Sequence, residues 1–244
     1  MKADPGSQRR LLDLAGLDAE LARATYRRGH LPEQAEVEKA ETEQRARRDA
    51  VVRAETSVAD LERDLAKLDK EVEQVRTRET RDRNLLDGGS VNAKQMTDLE
   101  HELDTLGRRR GVLEDEQLEV MERHEAAGAD LQHEKDALDG AQRVLDDAVE
   151  RRDGVLGDIE VLEVRRGEER AALAGRLPDD LVALYDRIRE RGASGAGELT
   201  GNRCGACRME IDRSELGRVN ASDADEVVRC EQCGAILVRT QEKK

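Results

Sequence analysis

The chain has 244 residues, 40% of them charged, and 56 Asp and Glu against 42 Lys and Arg give a formal net charge of −14. It holds no Trp, no Phe and two Tyr, which excludes a thick aromatic core, a base-stacking platform for single strands and a polycation that coats nucleic acid through its phosphates. Disorder or long helices remain, and periodicity decides between them.

Met1 to Arg10 has no apolar core, so no secretory leader is expected there. Leu11, Leu14, Leu17 and Leu21 then recur at helical spacing until Gly29-His30-Leu31-Pro32 breaks the pattern. A heptad seam follows, through Val37, Val51, Val58, Leu61, Leu65, Leu68, Val72, Glu79 and Asp82 to Leu86. Leu86-Asp-Gly-Gly-Ser-Val-Asn-Ala-Lys94 interrupts it with paired glycines. From Met96, Leu99, Leu103 and Leu106 a second seam continues in alternating steps of three and four to Leu173 without a skip. Disordered chain keeps no such phase, so the spacing predicts one helix of about 80 residues, about 120 Å long.

Two heptad helices joined by a short turn fold back as an antiparallel pair. A fold about residue 89 places Val72 near Leu106 and Val58 near Val120, and sets residues 145–173 against residues 5–33. The N-terminal helix then continues the first arm, giving an elongated particle as a monomer or dimer. Polar residues in the seam, Arg110, Gln117, His124 and Glu134, are expected to tune register.

Pro178 with Asp179 and Asp180 opens a further helix to about Arg191, with Leu181, Leu184, Tyr185 and Ile188 on one face. Gly192-Ala-Ser-Gly-Ala-Gly197 reads as a short flexible hinge. Beyond it stand all four cysteines, Cys204-Gly-Ala-Cys207 and Cys230-Glu-Gln-Cys233, separated by twenty-two residues. A two-residue gap lets one tight turn present two thiolates to one ion, and two such turns complete a tetrahedron. Gly234 supplies the positive φ that the end of such a turn often needs. The four histidines all precede the cysteines, so the site is read as closed and structural, holding one Zn²⁺ per chain through Cys204, Cys207, Cys230 and Cys233. Two knuckle-bearing hairpins in a small antiparallel sheet are expected, with Ser214-Glu-Leu-Gly-Arg218 as one helical turn between them.

The fold class is therefore mainly α, a long antiparallel coiled-coil hairpin followed by a small β zinc ribbon. The domains are drawn as residues 1–177 with the tip near 87–94, a connecting helix and hinge at 178–197, and the ribbon at 198–244. Near the tip, Arg76, Arg78, Arg81, Arg83, Lys94, Arg108, Arg109 and Arg110 form a basic collar for an acidic partner or a phosphate backbone, set against a solvated face among interspersed acids. Asp223-Ala-Asp-Glu226 lacks the spacing of a calcium loop and reads as surface acid.

Gly88-Gly-Ser-Val-Asn-Ala-Lys-Gln-Met96 with Leu99, Glu102 and Leu103, then Leu177-Pro178 with Leu181, Leu184 and Tyr185, and the paired CxxC motifs together resemble a bacterial family. Its members are coiled-coil hairpin proteins with a C-terminal C4-type zinc ribbon, and the tip often has Pro where this chain has Ala93. The resemblance covers essentially the whole chain and carries the four cysteines over as zinc ligands. It implies an adaptor, since relatives bind an alternative sigma factor, secretion components or a messenger RNA.

The expected function is thus a non-enzymatic zinc-ribbon adaptor in the cytoplasm, joining protein partners from transcription or secretion machinery. No nucleophile–base pair, phosphate loop or open metal site points to an enzyme, and no apolar run points to a membrane. The alternative is direct RNA or DNA binding by the ribbon and the collar.

Overall fold

The computed structural model describes residues 1–240, so the last four residues of the expected ribbon, 241–244, lie outside the described residues. Helices α1 (Pro5–Gly29), α2 (Pro32–Asp87), α3 (Ala93–Ala174) and α4 (Asp179–Arg189) precede strands β1 (Ala196–Thr200) and β2 (Arg203–Cys204). Helix α5 (Arg213–Ala221) and strands β3 (Val228–Arg229) and β4 (Ile236–Val238) complete the described chain. It divides into two compact units, Glu33–Glu150 and Met1–Pro32 with Arg151 onward.

In the Glu33–Glu150 unit, α2 and α3 run antiparallel. Val37, Ala40, Val51, Leu61 and Val72 of α2 are buried, as are Leu106, Leu113 and Ala148 of α3. All lie on the two seams read from the sequence. Gly88 to Asn92 forms the turn, with Gly89 at φ +61°. Asn92 then caps α3 reciprocally: Gln95 N–H donates to Asn92 Oδ1 (3.0 Å) and Asn92 N–H to Gln95 Oε1 (2.9 Å).

The register differs from a fold about residue 89. That fold sets Asp69 against Arg109 and Glu62 against Glu116. Instead Gln117 donates to Asp69, His124 lies 3.6 Å from Glu62, and Gln44 bonds Gln142 at 3.3 Å. Partners on α3 sit about one heptad further along, and a seven-residue shift preserves an a/d seam, so periodicity alone cannot detect it. A polar contact distinguishes the two registers. Glu79, buried on the α2 seam, accepts a 2.6 Å ion pair from Arg110 on the α3 seam, where the expected register would have set Leu99 against it. The seam residue Arg110 thus has Glu79 of the opposite helix as its partner.

In the other unit, α1 begins with Asp4 as N-cap, accepting from Gly6 N–H (2.8 Å) and Ser7 N–H (3.1 Å), with Pro5 in the first turn where a missing donor costs nothing. It pairs with the last third of α3 through Arg28–Glu163 (2.6 Å), Arg166–Glu20 (2.6 Å) and Arg170–Asp18 (2.8 Å). The N-terminal helix therefore does pack against that stretch of α3. The sheet has order β2-β1-β4-β3. The two expected hairpins are present as antiparallel pairs, but β1 and β4 run parallel, so the sheet is mixed. A parallel pair needs a long crossover, which the connection through β2, α5 and β3 supplies.

Removing Arg110 alone leaves a buried carboxylate unpaired. Arg110→Leu is expected to cost about 3 kcal/mol in urea unfolding, whereas Glu79→Leu with Arg110→Leu recovers most of that loss. Full additivity of Glu79→Leu and Arg110→Leu would contradict the pairing.

Candidate metal centre

Each CxxC motif closes the same turn. Arg208 N–H donates to Cys204 O (2.8 Å) and Cys204 N–H to Met209 O (3.1 Å); Gly234 N–H donates to Cys230 O (2.9 Å) and Cys230 N–H to Ala235 O (2.9 Å). Gly234 sits at φ +77° as the motif requires. Arg208 occupies the equivalent place in the first knuckle at φ +62°, alone among the described non-glycine residues in having a positive φ.

The four sulfurs lie within 4.8 Å of one another, with Cys204 and Cys233 Sγ 3.9 Å apart. Thiolates about 2.3 Å from a tetrahedral Zn²⁺ are separated by about 3.8 Å, so the donor set fits one zinc ion. Cys204 and Cys230 are buried and Cys207 and Cys233 half-buried, none in a disulfide. Burial pushes the Cys204 thiol up and that of Cys233 up to about 12, while the Met209 backbone amide draws Cys207 down. Leu199, Ile211, Val219 and Leu237 close over the cluster as a small apolar core. Four protein sulfurs fill a tetrahedron, so the arrangement suits structural zinc.

Helix α5 holds the second knuckle. Glu215, buried on this helix, accepts the Glu231 backbone N–H at 2.9 Å. The helix runs over Arg213–Ala221 with Asp212 as its cap, longer than the single turn expected, because Val219 adds a buried anchor a turn beyond the Ser214–Arg218 signal. Arg239 donates to the carbonyls of Val219, Ser222, Asp223, Ala224 and Glu226, clamping the loop after α5. Lys2 pairs with Asp223 (3.4 Å) and Asp225 (3.1 Å), so that acidic run is a surface acid with a partner.

One expectation about the ribbon's surroundings is corrected. Gly192–Gly197 is not a free hinge. A Cβ at Gly195 would lie 2.4 Å from the Tyr185 ring, and Gly195 O accepts from Ile236 N–H at 3.0 Å. The glycine is there for close approach. The ribbon also packs directly on the helices of its own unit. Ala196, Ile236 and Val238 pack with Leu11 and Leu14 of α1 and Leu181, Tyr185 and Ile188 of α4. Tyr185 Oη donates to Asp18 (2.8 Å), which also receives Arg170 and Arg189 (2.6 Å). Burial and this bond hold the Tyr185 phenol protonated. The Asp18 cluster, Arg239 and Lys2 carry no local sequence signature, since their partners are distant in the chain.

The collar is largely spoken for. Arg76 pairs with Glu114 (2.9 Å), Arg78 with Glu102 (3.4 Å), Arg109 with Glu71 (3.3 Å) and Arg110 with Glu79. Arg108 bonds its own helix at Asp104 O (3.3 Å). Arg81, Arg83 and Lys94 are exposed and have no carboxylate partner among the described residues, but Asp87, Asp98 and Glu100 are exposed in the same stretch. The eight cations therefore do not form one unopposed basic surface.

Metal analysis is expected to give one zinc per chain. Since zinc must displace protons from these thiols, its affinity falls as pH is lowered, and loading at neutral pH releases protons into weakly buffered solution. A zinc-free ribbon with unchanged hydrogen-exchange protection at neutral pH would contradict the assignment.

Residues 14–193 match the CT398-like coiled coil hairpin domain, and residues 203–237 match the C4-type zinc ribbon domain. An uncharacterized protein of Mycobacterium tuberculosis is 43% identical over 241 residues, 99% of this chain and 98% of its own. One of Mycobacterium leprae is 34% identical over 223 residues, 91% and 96% of the two chains. A solved structure from Mycobacterium smegmatis superposes with a TM-score of 0.87 at 42% identity, covering 98% of this chain and all of the other. CT398 from Chlamydia trachomatis superposes with a TM-score of 0.65 at 16% identity over 96% and 98%, a likeness of fold. The chain belongs to the CT398-like coiled-coil hairpin family and carries a C4-type zinc ribbon after the hairpin.

Proposed function

We propose that this chain is a non-enzymatic adaptor of the cytoplasm, its hairpin and zinc ribbon presenting surfaces to protein partners in transcription, secretion or related regulation. The observation that carries the reading is the closed donor set: four sulfurs within 4.8 Å of one another, embedded in an apolar core, supply folding energy and leave zinc no position for water or substrate. No helix among the described residues is long and apolar enough to cross a membrane. Direct RNA or DNA binding is the second reading, and Arg81, Arg83 and Lys94 are what favours it. It has less support, because four of the eight collar cations are paired with acids and the net charge is −14.

Photo-crosslinking groups placed in living cells at Met209 of the ribbon and Met96 near the tip test the two readings. The adaptor predicts discrete protein adducts that disappear in Cys204→Ser when the ribbon is the contact. Adducts made of RNA or DNA in place of protein would overturn it.

A further inference from the structure

One flank of the hairpin carries ion pairs at regular steps. Arg76 of α2 pairs with Glu114 of α3 at 2.9 Å, and Glu55 of α2 with Lys135 of α3 at 3.6 Å. Residues a heptad apart return to the same side of a coiled-coil helix. Asp69 and Glu62 therefore stand between Arg76 and Glu55, while Met121 and Gly128 stand between Glu114 and Lys135. At these two steps α2 presents an acid and α3 presents no cation to answer it. Asp69 accepts from the Gln117 amide and Glu62 lies 3.6 Å from His124, but no Lys or Arg among the described residues reaches either.

The gap in the ion pairs is apolar at its centre. Leu118 and Met121, one turn apart on α3, are 58% and 50% exposed. Glu122 follows Leu118 by four residues and Glu125 follows Met121 by four, so both border the pair. Both are exposed, and neither has a cation partner among the described residues. The nearby cations lie elsewhere. Lys67 and Lys70 line the other groove of the hairpin with Glu71, Arg109 and Leu113. Arg63 pairs with Asp60, and Arg123, two residues past Met121, stands about 200° around α3 from it.

We propose that this flank is a docking surface for a cationic amphipathic segment of a partner protein. Apolar side chains of that segment cover Leu118 and Met121, and its lysines or arginines answer Glu62, Asp69, Glu122 and Glu125. Charge decides the occupant. The four acids face no cation of their own chain, and the net charge of −14 steers a basic segment toward them. The same charge repels a nucleic-acid backbone. The inference rests on the adaptor reading and names a contact surface for it.

The test uses the full zinc-loaded chain labelled at its methionine methyl groups. The probe is a synthetic helical peptide of lysines around two leucines one turn apart. The peptide should shift the Met121 signal and leave Met96 and Met209 in place. Leu118→Gln with Met121→Gln, and separately Glu122→Gln with Glu125→Gln, should each weaken binding about tenfold. The melting temperature should hold, since all four side chains are exposed. Serines in place of the peptide's leucines should cost as much in the unaltered chain and nothing further in the Leu118 and Met121 variant. Movement of Met96 or Met209 instead, no shift at all, or a serine peptide that binds as tightly would each overturn the proposal. So would light scattering that shows a dimer made monomeric by Leu118→Gln with Met121→Gln, which would give the face to a second copy. Protein adducts in cells that survive both variants would leave the adaptor standing and remove this surface from it.

Discussion

Strand β4 is the element on which the Met1–Pro32 and Arg151-onward unit depends. Its side chains alternate between two cores. Leu237 faces the metal core with Leu199, Cys204 and Cys230, while Ile236 and Val238 face Leu11, Leu14, Leu181 and Tyr185. All three are fully buried. A chain without Phe or Trp has no large side chains with which to make either core independent. Zinc fixes the ends of the sheet, and the sheet in turn gives α1 and α4 something to pack on. Backbone bonds from the first residues add to this: Ala3 N–H donates to Asp225 O (2.7 Å) and Val227 N–H to Met1 O (3.0 Å). Metal, sheet and N-terminal helix thus form one linked assembly.

The Glu33–Glu150 unit works by a different rule. Its seam is thin, with alanines and polar residues between the valines and leucines, so apolar packing alone tolerates several registers a heptad apart. The Glu79–Arg110 pair (2.6 Å) accompanies the observed one. Exposed ion pairs such as Arg78–Glu102 and Arg109–Glu71 are solvated and add little stability. Most of the collar belongs to this account of the coiled coil: the arginines that suggested a ligand surface largely answer acids of the opposite helix.

What could be read in the sequence follows from how local each signal is. The CxxC pairs, the paired glycines at the tip and the heptad seams are set by residues near one another in the chain, and each is found in the structure. Gly234 likewise has the positive φ that its place predicts. The heptad offset was not legible, because the pattern is unchanged by it. The parallel β1–β4 pairing was hidden because two short hairpins read alike in any arrangement. Gly195 was misread for another reason. A glycine that admits the Tyr185 ring and one that frees a linker look identical until the ring is placed. Asp18, with Tyr185, Arg170 and Arg189 converging from two other helices, needed the tertiary structure.

The adaptor reading joins these parts. A closed thiolate site contributes stability, and strand β4 ties its core to α1 and α4. The central structural claim is that zinc holds α1 and α4 as well as the ribbon. Hydrogen exchange along α1 and α4, measured before and after zinc is removed by a chelator at neutral pH, tests it most directly. The account predicts that amides around Leu11, Leu14 and Tyr185 lose protection together with those of the knuckles. Loss confined to the knuckles, with α1 and α4 protected as before, would contradict it.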